Sequence, residues 1–321
     1  MFRWKKLGKV FDPTQNGNDA WMQTFAQAPA TLVFDSFVRV YFSCRPLPDK
    51  NGQATSYAGF VDLDRKNLFN ILRISKKPVL PLGEIGSFDE FGIMPISVIR
   101  DKHRLLAYYG GWTRCVSVPF NIAIGLAESK DNGETFEKIG PGPVLSYSPD
   151  EPFLVAVPKI RKFQNRWFLW YTAGTHWRKV NGKTEAVYGI RMATSTDGVT
   201  WKKEHRKIIP NVLGENEAQA SADVYFANDI YHMFFCYRHT SDFRTNKDRA
   251  YRIGYAYSQD GFHWQRDDSR VGIDISTEGW DSEMISFPHI FSLDGKTYML
   301  YLGNNFGREG FGIAELEGSL Q

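Results

Sequence analysis

The chain has 321 residues, of which 39 are Lys or Arg and 36 are Asp or Glu, and 15% are aromatic. A net charge of only +3 excludes a broad nucleic-acid footprint, and no apolar run approaches the roughly 20 residues of a membrane-spanning helix. The opening Met1-Phe2-Arg3-Trp4-Lys5-Lys6 lacks the apolar core of a secretory signal. Cys44, Cys115 and Cys236 lack metal-ligand spacing, so they read as reduced thiols of a cytoplasmic protein.

In chain order, the predicted elements repeat about every 65 residues. Trp4-Lys5-Lys6 is a short strand with no partner near it in sequence. Ala28-Pro29-Ala30-Thr31-Leu32-Val33 opens an apolar strand, followed by strands at 38–42 and 57–61. Met94-Pro95-Ile96-Ser97 opens a second set, with strands at 105–109 and 121–127. Val157-Pro158-Lys159-Ile160 opens a third, with strands at 167–171 and 188–193. Ala222-Asp223-Val224-Tyr225 opens a fourth, where Asp223 stands in for the proline, with strands at 231–237 and 251–258. Phe287-Pro288-His289-Ile290 opens the last. Turns keep the same beat at Ser129-Lys130-Asp131-Asn132-Gly133, Ser195-Thr196-Asp197-Gly198 and Ser258-Gln259-Asp260-Gly261. Their repetition marks them as architecture, with Asp-Gly making the turn and the following Phe136, Trp201 or Trp264 packing between sheets.

Repeats this long with four strands each predict an all-β, five-bladed β-propeller with antiparallel blades, in one domain over residues 1–321. The fifth set has only three strands before the chain stops. Trp4-Lys5-Lys6 reads like Trp201-Lys202-Lys203, the fourth strand of the third set, so the N-terminal strand is predicted to complete the last blade and hide its open edge.

Strand one of each blade leaves one mouth of the propeller and strand two returns to it. Residues before strand one and after strand two therefore share that mouth. The acids there are Asp89 with Glu90, Asp150 with Glu151, Glu217, and Asp281 with Glu283; the first blade has Gln23 and Gln27 instead. After strand two come Arg45, Trp112 with Arg114, His176 with Trp177, Arg238 with His239, and Asn304 with Asn305. Paired carboxylates suit glycosidic bond cleavage, one protonating the leaving oxygen while the other activates water or attacks the sugar. Glu217 and Glu283 are the expected acid/base pair, with Asp89 as an auxiliary carboxylate and Asp281 as a further catalytic candidate. Trp112 and Trp177 are expected sugar platforms, with Gln27, Arg45, His176, Arg238, His239 and Asn304 as polar contacts to substrate. The long basic connections at 178–183 and 244–249 suit a substrate carrying phosphate or carboxylate. The seven histidines lack ligand spacing, so no metal is expected. His289, on an innermost strand, is placed to face the channel. No phosphate loop or dinucleotide fingerprint is present, and no organic cofactor is expected.

The blade pattern resembles the five-bladed propeller glycosidases, the superfamily of arabinanases, β-xylosidases, invertases and levansucrases, whose fold the mannoside phosphorylases share. Ala26-Gln27-Ala28-Pro29, Arg39-Val40-Tyr41-Phe42-Ser43, Phe88-Asp89-Glu90-Phe91-Gly92-Ile93-Met94-Pro95, Tyr108-Tyr109-Gly110-Gly111-Trp112, Ile124-Gly125-Leu126-Ala127, Gly279-Trp280-Asp281-Ser282-Glu283-Met284 and Tyr298-Met299-Leu300-Tyr301 more closely resemble glycosidase-like proteins of bacterial surface-polysaccharide gene clusters. The resemblance implies a glycoside hydrolase-like enzyme acting on a surface-polysaccharide precursor or related glycoside. The alternatives are a phosphorylase using the basic rim, or a glycan-binding propeller that cuts nothing. One departure stands out. Arabinanase-like enzymes carry an acid beside the early prolines, whereas here Ala28, Met94, Val157 and Phe287 precede them. The family's acids therefore do not transfer position for position.

Overall fold

The computed structural model describes residues 1–16 and 19–320. Five four-stranded antiparallel sheets form a ring. The first blade is Thr24–Val33, Phe37–Arg45, Tyr57–Asp64 and Asn67–Ile74. The second is Gly92–Asp101, Arg104–Arg114, Phe120–Ser129 and Glu137–Lys138. The third is Val155–Phe163, Arg166–Val180, Lys183–Ser195 and Lys202–Lys203. The fourth is Glu217–Ala227, Ile230–His239, Arg252–Ser258 and Gln265–Arg266. The fifth is Ser286–Leu293, Lys296–Leu302 and Phe311–Leu316, completed by Trp4–Phe11. Trp4 pairs with Leu316 and Phe11 with Phe311, so the two ends of the chain close the ring as predicted.

The core lies between blades rather than inside them, because each sheet buries both faces against its neighbours. Tyr41 packs with Ile96 and Tyr109 between blades one and two. Tyr108 packs with Leu169 and Tyr171 between two and three, and Trp170 with Phe235 and Trp264 between three and four. Phe234 and Tyr255 meet Trp4 and Tyr301 between four and five, and Phe311 meets Phe42 between five and one. The Ser-x-Asp-Gly turns latch these faces. Ser195 Oγ donates to Asp197 Oδ1 (2.9 Å) and accepts the Gly198 N–H, leaving the Gly198 carbonyl to accept from Tyr108 of the preceding blade. Tyr41 reaches Gly133 of the second blade in the same way.

Each innermost strand shifts register in its first half. Ala28, Val157, Ser221 and Phe287 take positive φ there, turning the chain inward at one level of the axis. Just below that level, Thr31, Lys159, Asp223 and His289 form a buried polar network from four blades. The Thr31 N–H donates to His289 Nε2 (3.0 Å), which fixes the proton on Nδ1; Nδ1 lies 3.1 Å from Asp223 Oδ2 and donates to it. Asp223 also accepts from Arg161 and from the Ile290 N–H, each at 2.6 Å.

Burial outweighs the pull of Asp223 and brings His289 down to about 4. An unfolded His binds its proton near 6.5, so between pH 6.5 and 4 the unfolded chain holds the extra proton. Stability that is complete above pH 6.5 is lost as the pH falls through this window, by an amount of order 3 kcal/mol. Urea midpoints measured from pH 7 to pH 4 will therefore drop, and His289→Asn will flatten that slope; equal slopes would refute this account of the axis.

Candidate functional site at the strand-start mouth

The expected acids lie at the predicted mouth, but most are committed inside their blades. Asp89 is buried and accepts from Tyr109 Oη (3.0 Å), Ser87 Oγ (3.0 Å) and Lys138 Nζ (2.6 Å). Asp281 accepts from Tyr301 Oη (3.0 Å) and Lys6 Nζ (2.6 Å). Glu151 repeats the arrangement with Tyr171 and Lys203. In all three the tyrosine lies twenty residues after the acid, on strand two, and the lysine sits on the outermost strand. The acid thus ties the edge of the blade to its inner half. Burial, then the adjacent carboxylate, pushes all three phenols well above the usual tyrosine range, so they stay protonated and donate.

Glu217 belongs to a variant of this tie. Its Oε1 accepts from Arg266 Nη1 (2.6 Å) and Gln219 Nε2 (2.7 Å), and its Oε2 from the Val212 and Leu213 N–H groups (2.7 and 2.8 Å). Arg266 is on the outermost strand and lies over the Tyr237 ring. Burial raises the Glu217 pKa, but the donors from Gln219, Val212 and Arg266 outweigh it and hold the carboxyl below its ordinary value. Glu283, its expected partner, is exposed. It lines a groove of about 230 Å³ with Phe243, Arg244, Lys247 and Met284. No hydrogen bond or ion pair joins Glu217 to Glu283.

The expected binding residues divide as well. Asn304 is a loop clamp: its Oδ1 accepts the Glu283 and Met284 N–H groups and its Nδ2 donates to the Gly279 carbonyl. Trp112 is half-buried and donates to Ser56 Oγ (2.7 Å). Trp177 is half-buried edge-on to Phe120. His176 is exposed beside Asn216, and His239 pairs across from Glu217. Burial, then Arg249, lowers the His239 pKa.

Gln27, Arg45 and Arg238 lie at an aromatic corner beside the inward-turned residues. Ala28, Phe287 and Tyr251 pack there with Val157, Tyr188 and Phe306. Gln27 donates to the Phe306 carbonyl (2.8 Å) and accepts from Arg45 Nη2 (3.3 Å). Arg45 lies over the Phe25 ring (4.7 Å). Arg238 lies 3.6 Å over Phe243 and donates to Tyr188 Oη (3.0 Å), whose hydroxyl in turn touches that of Tyr251. Arg244 stacks on the other side of this corner, over Phe243 (4.2 Å), and pairs with the buried Glu185. Tyr188, Tyr251, Phe243, Phe306 and Glu185 escaped the sequence reading. Tyr188 and Tyr251 stand 63 residues apart, one blade period, and that was the available signal.

No family model matches the chain. Two uncharacterized proteins of Mycobacterium tuberculosis, Rv1502 of strain H37Rv and MT1551 of strain CDC 1551, are each 35% identical to it over 315 residues, covering 98% of this chain and 99% of theirs. Among solved structures, a glycoside hydrolase superposes with a TM-score of 0.75 at 18% identity, covering 98% of this chain and 92% of its own. A structure from the GH130 family of mannoside phosphorylases, described as containing glycoside hydrolases that target β-1,2 mannosidic linkages, gives 0.70 at 15% identity, covering 98% and 94%. A thermostable family-43 glycoside hydrolase gives 0.67 at 16%, covering 94% and 90%. The chain therefore belongs to the family of the two mycobacterial proteins, on the five-bladed propeller fold that it shares with glycoside hydrolases.

Proposed function

We propose that this protein is a glycosidase-like enzyme that binds a sugar at the aromatic corner of the strand-start mouth and cleaves its glycosidic bond at the adjoining groove. The observation that carries this reading is a corner of half-buried aromatic side chains, Phe25, Tyr188 and Phe306 beside the buried Tyr251, which adjoins through Phe243 a groove that holds an exposed carboxylate. Aromatic faces take sugar rings, while tyrosine hydroxyls, Gln27 and arginines bond their hydroxyls. Glu283 is an exposed acid of this groove, and Glu185, paired with Arg244 of the same groove, is a candidate for a second. One would protonate the leaving oxygen and the other would activate water. Asp89, Asp281 and Glu217 would support the site by fixing the blade edges. A surface-polysaccharide precursor is the substrate class that the sequence resemblance implies.

The test is incubation with nucleotide sugars and cell-envelope oligosaccharides, following new reducing ends and phosphate esters. With a substrate in hand, Glu283→Gln lowers kcat by about 100-fold or more, the scale of a lost general acid or base. The melting temperature stays put because the side chain is exposed. Unchanged turnover would remove Glu283 from the mechanism.

A further inference from the structure

We infer that Arg45 and Arg238 form a binding site for an oxyanion, the phosphate or carboxylate group of the ligand that binds at this aromatic corner. This rests on the glycoside reading above and names the chemistry that its ligand carries. Arg238 is only 4% exposed. Its Nη1 donates to the His239 carbonyl and its Nη2 to Tyr188 Oη, while its Nε has no acceptor among the described residues. Arg45 spends Nη2 on Gln27 Oε1 and the Met94 sulfur, and its buried Nε also lacks an acceptor. Neither guanidinium has a carboxylate partner among the described residues.

Buried arginines elsewhere in the chain do. Arg39 holds Asp62 through two nitrogens, and Arg266 holds Glu217 and Asp268. An unneutralised cation in a dry site is costly, and ring faces compensate it only in part. The two cations meet the same aromatic residue from two sides: Arg45 holds Gln27, which donates to the Phe306 carbonyl, and Arg238 lies over Phe243, which packs edge-on to Phe306. A hydroxyl would satisfy a donor but not the charge. An oxyanion does both, and the guanidinium fork fits it in bidentate fashion. Further capacity stands unused close by. The hydroxyls of Ser43, Ser221 and Ser286 are buried without partners. Ser43 pairs with Gln27, Ser221 is itself one of the inward-turned residues, and Ser286 precedes another.

The experiment is calorimetric titration of the full chain with glucose 1-phosphate, glucuronate and glucose, with inorganic phosphate as the minimal probe. At least one charged sugar is expected to bind tenfold or more tighter than glucose, with affinity falling as salt rises. Preference for the phosphate or the carboxylate arm identifies the anion. Arg45→Met and Arg238→Met abolish the preference. Arg45→Lys and Arg238→Lys keep the charge but lose the fork; they weaken it by tenfold or more, and they cover the case of a Met variant that does not fold. Equal affinity for charged and neutral sugars, or a charged-sugar preference unchanged in the Lys and Met variants, would overturn the inference. Cleavage of neutral glycosides with no anion preference would leave the glycosidase reading standing and remove this site. Anion binding without cleavage of any glycoside would do the reverse.

Discussion

Deleting residues 1–10 will lower the melting temperature by more than about 15 °C or prevent folding. The segment supplies the outermost strand of the last blade, and Phe2, Trp4 and Val10 are buried. Those three side chains contribute roughly 1.5–3 kcal/mol each by burial. Lys6 is the ammonium on Asp281, an acid only 3% exposed, and stranding a buried charge costs about 3–5 kcal/mol. The total is about 10 kcal/mol, and a chain of this size shifts by about 2 °C per kcal/mol. Loss of the strand also bares the edge of Phe311–Leu316, so the truncated chain is expected to associate. Thermal unfolding followed by circular dichroism, with light scattering for association, checks both. A truncated protein that melts within about 3 °C of the full chain would mean that three strands suffice. Lys6→Met isolates the ionic part and should account for about a third of the loss.

The fold was legible because propeller signals are local and repeated. Proline anchors in four blades, Asp-Gly-type turns in three and apolar strands in all five each sit within ten residues and reinforce one another. Even ring closure was readable, since Trp4-Lys5-Lys6 repeats Trp201-Lys202-Lys203; Lys6 and Lys203 then perform the same task on Asp281 and Glu151. The site was legible only to the level of the mouth. A carboxylate ahead of strand one looks the same in sequence whether it faces a ligand or ties down a lysine on the outermost strand. What separates the two is a partner about 50 residues away, as Lys138 is from Asp89, or at the other end of the chain, as Lys6 is from Asp281. The twenty-residue acid-to-tyrosine spacing in four blades (Asp89 and Tyr109, Glu151 and Tyr171, Glu217 and Tyr237, Asp281 and Tyr301) was the overlooked clue, because repetition argues for architecture here as it did for the Asp-Gly turns. Arg45 and Arg238 drew notice by position, but their lack of acidic partners is a fact of packing that no spacing reveals.

Glu217→Gln separates architecture from chemistry at the residue on which the sequence reading leaned most. All four of its partners are donors: Arg266 and Gln219 on one oxygen, the Val212 and Leu213 N–H groups on the other. A glutamine amide must therefore turn its own N–H₂ toward donors whichever way it is flipped. Arg266, whose side chain is 3% exposed, loses one of its two carboxylates. Breaking a buried pair of this kind costs about 3–5 kcal/mol, so Glu217→Gln should unfold at a clearly lower urea concentration. At a temperature where it remains folded, its turnover per folded molecule should stay within a few-fold of the parent. Glu217→Met combined with Arg266→Met, which removes both charges together, should recover part of the stability, since replacing a buried pair by apolar groups is often neutral. A Glu217→Gln protein with parental stability and no turnover would give the opposite answer: the carboxylate would then act on substrate, and the tie to Arg266 would be incidental.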